Sequence, residues 1–452
     1  MSVLNQQNQQ NQSSSKHAVL SALQGSDWLL DDDFESEPLV DVEEEINTPS
    51  TAKAKKPSAK AKKQVKPVTW ADSAKPAYDV SGAPSFLTPL GELIEGIYLN
   101  MPNDVYHSLN ALSSTGAKTF IESPAEYYRD YLSDISRKKT TAQRDTFDTG
   151  TYIHELCLEP EGFNDRYFRD VVPADLPDAI STIAQMDAEL AKLGLPVGEG
   201  KDEKLQRLLR YAPKTNTVTL KTIKDIDAEL EKLGLSKTES KLDKAFRLRA
   251  ANPCIEIFDL IQHERRLKQG KPTTVVIDEQ EVTLYGGKRP ICGVIWDDAH
   301  RAMNTVRNHR EADAYLQNGL PEVAIIARCP RTGMMLKAKF DWLRFDNMAC
   351  DVKSTRDTKP SKFKHQMEDL NYPIQQEFYK YTASLVGIEI EVFVFIAVEF
   401  IKADICQPYE LSAKRSHLAR VELMKALDNF VQCRSSNRWY GWSKEDCTMV
   451  LD

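Results

Sequence analysis

Residues 322–355 read EVAIIARCPRTGMMLKAKFDWLRFDNMACDVKST. Three apolar runs, EVAIIARC, MMLKAKFDWLRF and MACDVKST, are separated by Arg331-Thr332-Gly333 and by a polar break carrying Asn347. β-Branched and aromatic residues in short runs punctuated by Gly and Asn predict three consecutive strands, an antiparallel meander. The next stretch, SKFKHQMEDLNYPIQQEFYKYTASLVG (361–387), has helical spacing, with Pro373 tolerated near a helix start and Gly387 suited to its end. IEIEVFVFIAVEF (388–400) follows as a strongly apolar, β-rich run, which predicts a buried strand. Strands, helix and strand in this order predict an α/β core with a mixed central sheet flanked by helices.

Asp341 and Asp351 fall on adjacent strands of the meander, and Lys353 is two residues after Asp351. Residues i and i+2 of a strand share a face, so Asp351 and Lys353 project together while the hairpin brings Asp341 alongside. Two carboxylates beside one ammonium are costly to bury for structure alone. They suit a divalent Mg²⁺, with Mn²⁺ as a substitute, because this hard cation takes carboxylate oxygen and keeps waters free for a substrate phosphate. Surface strands carry such triplets often, so the flanking sequence decides their weight. Upstream, GTYIHELCLEP (150–160) places His154 on a helix; downstream, Gln375 and Tyr379 are one helical turn apart and face the same way. Ser113-Ser114-Thr115 reads as the cap of an earlier helix, and Ser123-Pro124 as the start of another.

Taken in order, SLNALSSTGAKTFIESPAEYY, GTYIHELCLEP, KAKFDWL with CDVKS, YPIQQEFY, VFVFIAVE and the terminal RWYGW resemble the RecE-type exonuclease family (exonuclease VIII), in the RecB-like branch of the PD-(D/E)xK superfamily. The resemblance runs from about Tyr98 to Trp442 and implies a restriction-endonuclease-like fold. It implies His154, Asp341 and Asp351 as metal ligands and Lys353 as the catalytic lysine. Gln375 and Tyr379 match a helix that lies beside the active site and contacts DNA or orients the lysine, and Glu322 stands where members often carry an acid. It further implies a Mg²⁺-dependent exodeoxyribonuclease that degrades linear double-stranded DNA 5′ to 3′. Such an enzyme leaves 3′ single strands for a single-strand annealing protein and works as a ring-like homo-oligomer. Two other readings compete: a RecB-like or Cas4-like single-strand nuclease or endonuclease on the same site, and a non-catalytic DNA-binding protein.

An internal repeat interrupts the resemblance. DAELAKLGLPVGEGKDEKLQRLLR at Asp187 recurs as DAELEKLGLSKTESKLDKAFRLRA at Asp227, 40 residues later, with 13 identities over 24 positions. Each copy reads as a helix ending at Gly194 or Gly234, an extended linker and a Lys/Arg-rich helix. The pattern resembles small DNA-binding modules of the SAP kind, with Ser240 departing from Gly200. That resemblance implies that Lys201, Lys204, Arg207, Lys241, Lys244 and Arg247 face phosphate; the competing reading is a helical pair packed on the main domain.

The 452 residues carry 59 Lys and Arg against 67 Asp and Glu, a net charge of −8, so any DNA-binding surface must be local. Lys337 and Lys339 before Asp341, and Lys359, Lys362 and Lys364 after Asp351, are candidates for it. Residues 1–86 pass from a Gln/Asn/Ser stretch through Trp28-Leu29-Leu30 and an acidic run to AKAKKPSAKAKKQVKP, which predicts a disordered low-complexity arm. The expected divisions are that arm, an N-terminal nuclease part at 87–173, the repeats at 174–252 and the core with the catalytic hairpin at 253–452. No apolar run approaches the ~20 residues of a membrane span. The eight cysteines, Cys157, Cys254, Cys292, Cys329, Cys350, Cys406, Cys433 and Cys447, form no CxxC, and no signal-peptide pattern opens the sequence. Both point to reduced, mostly buried thiols in a cytoplasm and away from a zinc or iron–sulfur site.

Overall fold

The computed structural model describes residues 69–445, other than 134, 136–140 and 278–279, together with residue 448. The Gln/Asn/Ser stretch, Trp28-Leu29-Leu30, the acidic run, the Lys-rich segment and Cys447 lie outside the described residues.

The central sheet contains β1 (Lys75–Pro76), β2 (Gly96–Leu99), β3 (Leu112–Ser113), β4 (Gly319–Arg328), β5 (Met335–Arg344), β6 (Ala349–Thr355), β7 (Phe393–Glu399) and β8 (Ile405–Glu410). Their spatial order is β1-β2-β4-β5-β6-β7-β8, with β3 beside β5. The predicted meander is β4-β5-β6, antiparallel throughout. Its first turn closes through Gly333 at φ 70°, whose N–H donates to the Cys329 carbonyl at 2.8 Å. β7 is parallel to β6, so the chain must cross over between them, and the crossover is helical.

The principal helices are α1 (Ser114–Glu122), α2 (Thr141–Leu158), α3 (Ile183–Lys192), α4 (Lys201–Tyr211), α5 (Ile223–Lys232), α6 (Lys241–Ala251), α7 (Phe258–Gln269), α8 (Gly293–Asn308), α9 (Pro360–Asp369), α10 (Tyr372–Ser384) and α11 (Ala413–Ser436). Alternation along β7 explains why helices cover both faces. Phe393, Phe395 and Ala397 enter one core with residues of α10 and α11, whereas Val394, Ile396 and Val398 enter another with residues of α2 and α8. All seven residues of β7 are buried, as expected of a strand between two helical layers.

Two boundaries differ from expectation. Residues ahead of Phe86 belong to the fold: Trp70 joins the main core and its indole N–H donates to the Arg344 carbonyl at 2.7 Å. The stretch 361–387 is two helices, not one. It breaks at Asn371, which is left-handed at φ 51°, because Pro373 cannot continue a preceding helix and opens a new one. Ser113 and Ser123 cap α1 and the short helix Pro124–Tyr127 as expected.

The repeats form an excursion whose ends meet: Phe258 N–H donates to Ile180 O at 2.8 Å and Ile180 N–H to Glu256 O at 2.9 Å. Gly194 and Gly234 take φ 69° and 68° after α3 and α5. Ser240 in place of Gly200 supplies a side-chain cap to α6, accepting from Asp243 N at 3.1 Å.

The two copies are interlocked. Met186 and Leu190 of α3 pack with Ala245 and Leu248 of α6, while Leu208 of α4 packs with Ile226 and Leu230 of α5. Each helix therefore completes its core with the other copy. The ion pairs repeat the exchange: Lys204 reaches Asp227 at 2.6 Å and Lys244 reaches Asp187 at 2.5 Å. Arg207 donates to Ser236 O at 2.9 Å, and Arg247 to Pro196 O at 2.7 Å. One prediction is specific to this exchange. Leu190→Ala removes about 2–5 kcal/mol of packing, and hydrogen exchange should show protection lost in α6, remote in sequence, rather than in the neighbouring α4. Loss confined to α4 would show that the copies close on themselves.

Candidate active site

Three carboxylates stand on three adjacent strands. The β4–β5 register pairs Pro321 with Trp342 and Val323 with Phe340, which sets Glu322 across from Asp341. On the other side β5 and β6 pair at Cys350 and Trp342, and the ladder ends where the acids begin. There the Asp341 carboxylate replaces a main-chain partner, Oδ2 accepting from Val352 N at 2.9 Å. Glu322 has φ 53°, a backbone conformation that L residues avoid and that recurs where function constrains the chain. It lies within β4 and not at its opening.

Each acid is held by a basic group of the chain. Asp351 is 1% exposed; its Oδ2 lies 2.5 Å from Lys353 Nζ, and its Oδ1 accepts from Gln375 Nε2 at 2.7 Å. His154 of α2 places Nε2 2.8 Å from Asp341 Oδ2 and Nδ1 3.4 Å from Glu322 Oε1. Gly150, one turn earlier, lets α2 approach β6: a Cβ there would lie 3.3 Å from the Ser354 hydroxyl. Lys339 pairs with Glu322 and donates to Asn103 Oδ1 at 2.6 Å. His154, Glu322, Lys339, Asp341, Lys353 and Tyr379 all line one open cleft of about 1720 Å³.

These neighbours set the ionisation. Burial, then the Asp341 charge, pushes the Asp351 carboxyl up to about 6. His154 rises to about 9, because the Asp341 and Glu322 charges outweigh burial. Lys353 is raised too, burial being outweighed by Asp351 and Asp341, so it is an ammonium at neutral pH. Asp341 is lowered: burial is outweighed by the charge and hydrogen bond of His154.

Among the described residues no three His, Cys, Asp or Glu side chains converge as a ready metal cage. The carboxylates turn instead to Lys353, Lys339 and His154. The donor chemistry nonetheless fits a hard divalent cation. Glu322, Asp341 and His154 line the cleft, and the buried Asp351 carboxylate stands behind Lys353, whose ammonium it pairs with. His154 would have to shed its proton to become a ligand.

The remaining expected residues separate. Gln375 orients Asp351, not the lysine. Tyr379 is buried against Phe340, ring centroids 4.9 Å apart. Lys337, expected at a DNA face, is withdrawn from it: its ammonium donates to the carbonyls of Tyr106, His107 and Leu109 at 2.8, 3.0 and 2.8 Å. Lys359, Lys362 and Lys364 are exposed, and Lys362 lines the cleft. In the repeats, Lys204, Lys244, Arg207 and Arg247 are spent on the interlock and on Glu199 and Glu239. Lys241 pairs with Asp259 at 2.9 Å, and Lys201 is exposed. The expectation that this set faces phosphate is thereby corrected, Lys201 excepted, because a phosphate would have to compete with carboxylates already in contact. Trp439 of RWYGW packs on Phe120 and Tyr127, a structural role. Seven described cysteines are free; Cys254 and Cys292 are exposed rather than buried. No helix among the described residues is long and apolar enough to cross a membrane.

Residues 288–450 match a family described as a PDDEXK-like domain of unknown function. That span holds Glu322, Asp341, Asp351, Lys353, Gln375 and Tyr379 and leaves out His154. The match supports a nuclease of the PD-(D/E)xK superfamily. No curated protein matches the chain significantly. Among solved structures, the crystal structure of a "Putative exonuclease" from Eubacterium rectale has 10% sequence identity and a TM-score of 0.29, covering 62% of this chain and 91% of that chain.

Proposed function

We propose that this chain is a Mg²⁺-dependent exodeoxyribonuclease that shortens linear double-stranded DNA, 5′ to 3′, leaving 3′ single strands for an annealing partner in homologous recombination. The observation that carries the reading is that Glu322, Asp341, Lys353 and His154 line one open cleft, with the buried Asp351 paired to Lys353 at 2.5 Å. Family resemblance supports the end-dependence, the polarity, the annealing partner and a ring-like homo-oligomer.

Asp341 and Asp351, with His154 at their edge, would hold the metal. When bound, Mg²⁺ supplies Lewis-acid stabilisation of charge developing on the phosphate. The residues of the chain do the rest. Lys353, charged at neutral pH, orients the attacking water by hydrogen bonding and offsets negative charge on the phosphate rather than taking a proton. Gln375 fixes the rotation of the Asp351 carboxylate, so its second oxygen points toward Lys353. Exposed Lys362 at the cleft offers a phosphate contact.

The test is hydrolysis of linear duplex, single-stranded and covalently closed circular DNA, each with Mg²⁺, Mn²⁺ or EDTA. The expected result is release of nucleotides from linear duplex alone, faster from a 5′-labelled end, and none in EDTA. Cut circles would establish an endonuclease instead, digestion of single strands alone a RecB-like or Cas4-like activity, and binding without cutting a DNA-binding protein.

A further inference from the structure

The chain breaks its helix directly beside Lys353, and the residue that follows the break is Tyr372. Tyr372 stacks on Phe395 of β7, centroids 5.5 Å apart and planes at 17°, and is 6% exposed. Lys353 Nζ stands over the Tyr372 ring, 4.9 Å from its centroid. A cation over an aromatic face is attracted by the ring's negative quadrupole, and more strongly where water is excluded. The ring itself is fixed: its hydroxyl accepts from Gln366 Nε2 at 3.3 Å, and Gln366 Oε1 accepts from Thr355 Oγ1 at 2.6 Å. Thr355 is two residues beyond Lys353 on β6, so strand, α9 and the start of α10 close a circuit around the lysine. On the far side Lys118 of α1 donates to Leu370 O at 3.1 Å, fastening the last residue before Asn371.

Resting on the reading of Lys353 as the catalytic lysine, we propose that Tyr372 is a positioning residue. Its ring, tethered through Gln366 to Thr355, confines the Lys353 ammonium between the aromatic face and Asp351, aimed into the cleft. A uniform helix over 361–387 would not present this ring; the left-handed Asn371 and Pro373 do. Two contacts, one ionic and one aromatic, restrict an otherwise flexible four-carbon side chain to one direction.

The experiment compares kcat, KM and DNA affinity for wild type, Tyr372→Phe, Tyr372→Leu, Gln366→Leu and Lys353→Ala on linear duplex with Mg²⁺, each checked for folding by thermal melting. Tyr372→Leu should lower kcat about 10- to 30-fold, the scale of a desolvated cation–aromatic contact, with KM and affinity unchanged. Tyr372→Phe, which keeps the ring, should recover most of that loss, and Gln366→Leu should give a smaller drop in kcat alone. Adding Tyr372→Leu to Lys353→Ala should cost nothing more, since a group that acts through the lysine has nothing left to position. Wild-type kcat in Tyr372→Leu, or equal losses in the Phe and Leu variants, would overturn the proposal. If Tyr372→Leu does not fold, Gln366→Leu and Tyr372→Phe, which break the same hydrogen bond, decide it: a small kcat-only loss in both supports it, and a normal rate in both, or a loss in only one, overturns it. Full activity in Lys353→Ala would instead remove the reading of the site on which the proposal rests.

Discussion

Asp351→Asn should stop metal-dependent cleavage, with a loss of roughly 10³-fold or more, the scale set by removing a group that meets the reacting centre, in a protein that remains folded. The amide keeps the shape of the side chain and a partner for Gln375, now 2.7 Å from Asp351 Oδ1, but removes the negative charge that pairs with Lys353. The fold should survive because that charge is held at a cost. Burial, then Asp341, raises the carboxyl from 3.8 to about 6. The folded chain thus binds this proton more tightly than the unfolded chain does. Stability from this group is fully present below pH 3.8 and is lost as pH rises through 6. The Asn variant lacks that component. In denaturant melts without metal, the gap between variant and wild type should shift in favour of the variant from pH 4 to pH 7. His154, raised to about 9 chiefly by Asp341 and Glu322, adds a second loss between its ordinary 6.5 and 9, which the Asn variant shares except for the part contributed by the Asp351 charge. An Asn variant that cleaves at wild-type rate would remove Asp351 from the chemistry, and one that unfolds would show the charge to be structural.

The meander and its acids were legible because strand spacing is strictly local: Asp351 and Lys353 share a face by the period of two, and the turn at 345–348 is short enough to force Asp341 beside them. His154 was legible only through family resemblance, since nothing in GTYIHELCLEP states that its helix lies against β5. Glu322 was seen as the opening of a strand, whereas its left-handed backbone in mid-strand is a property of the assembled sheet. The break at Asn371 did carry a local signal in Pro373, outweighed by apolar residues that keep helical spacing across it. The interlock of the repeats had none. Two copies of one sequence offer the same apolar face to each other as to themselves, so periodicity cannot tell a closed pair from an exchanged one.

Basic residues were the least legible class, because a lysine that staples and a lysine that meets solvent look alike in one dimension. Lys337 and Lys362 separate the two cases. Lys337 is 5% exposed, and three main-chain carbonyls converge on its ammonium. Burial pushes this amine down to about 8, so the carbonyls offset a desolvation cost rather than add a free gain. Lys337→Met keeps the length and removes the donor, leaving the acceptors of Tyr106, His107 and Leu109 without it. A loss of about 2–4 kcal/mol follows from losing three charge-assisted contacts at a buried site. Lys362 is exposed on α9 at the cleft. Lys362→Met should leave stability within about 0.5 kcal/mol but lower DNA affinity and flatten its dependence on salt by about one unit of log–log slope, the share of a single phosphate contact. Equilibrium unfolding and salt titration of binding to a linear duplex, run on both variants, check the contrast. A Lys337 variant with unchanged stability and a flatter salt slope would return that residue to the DNA face. An unchanged slope for Lys362→Met would place the phosphate track elsewhere on the cleft wall.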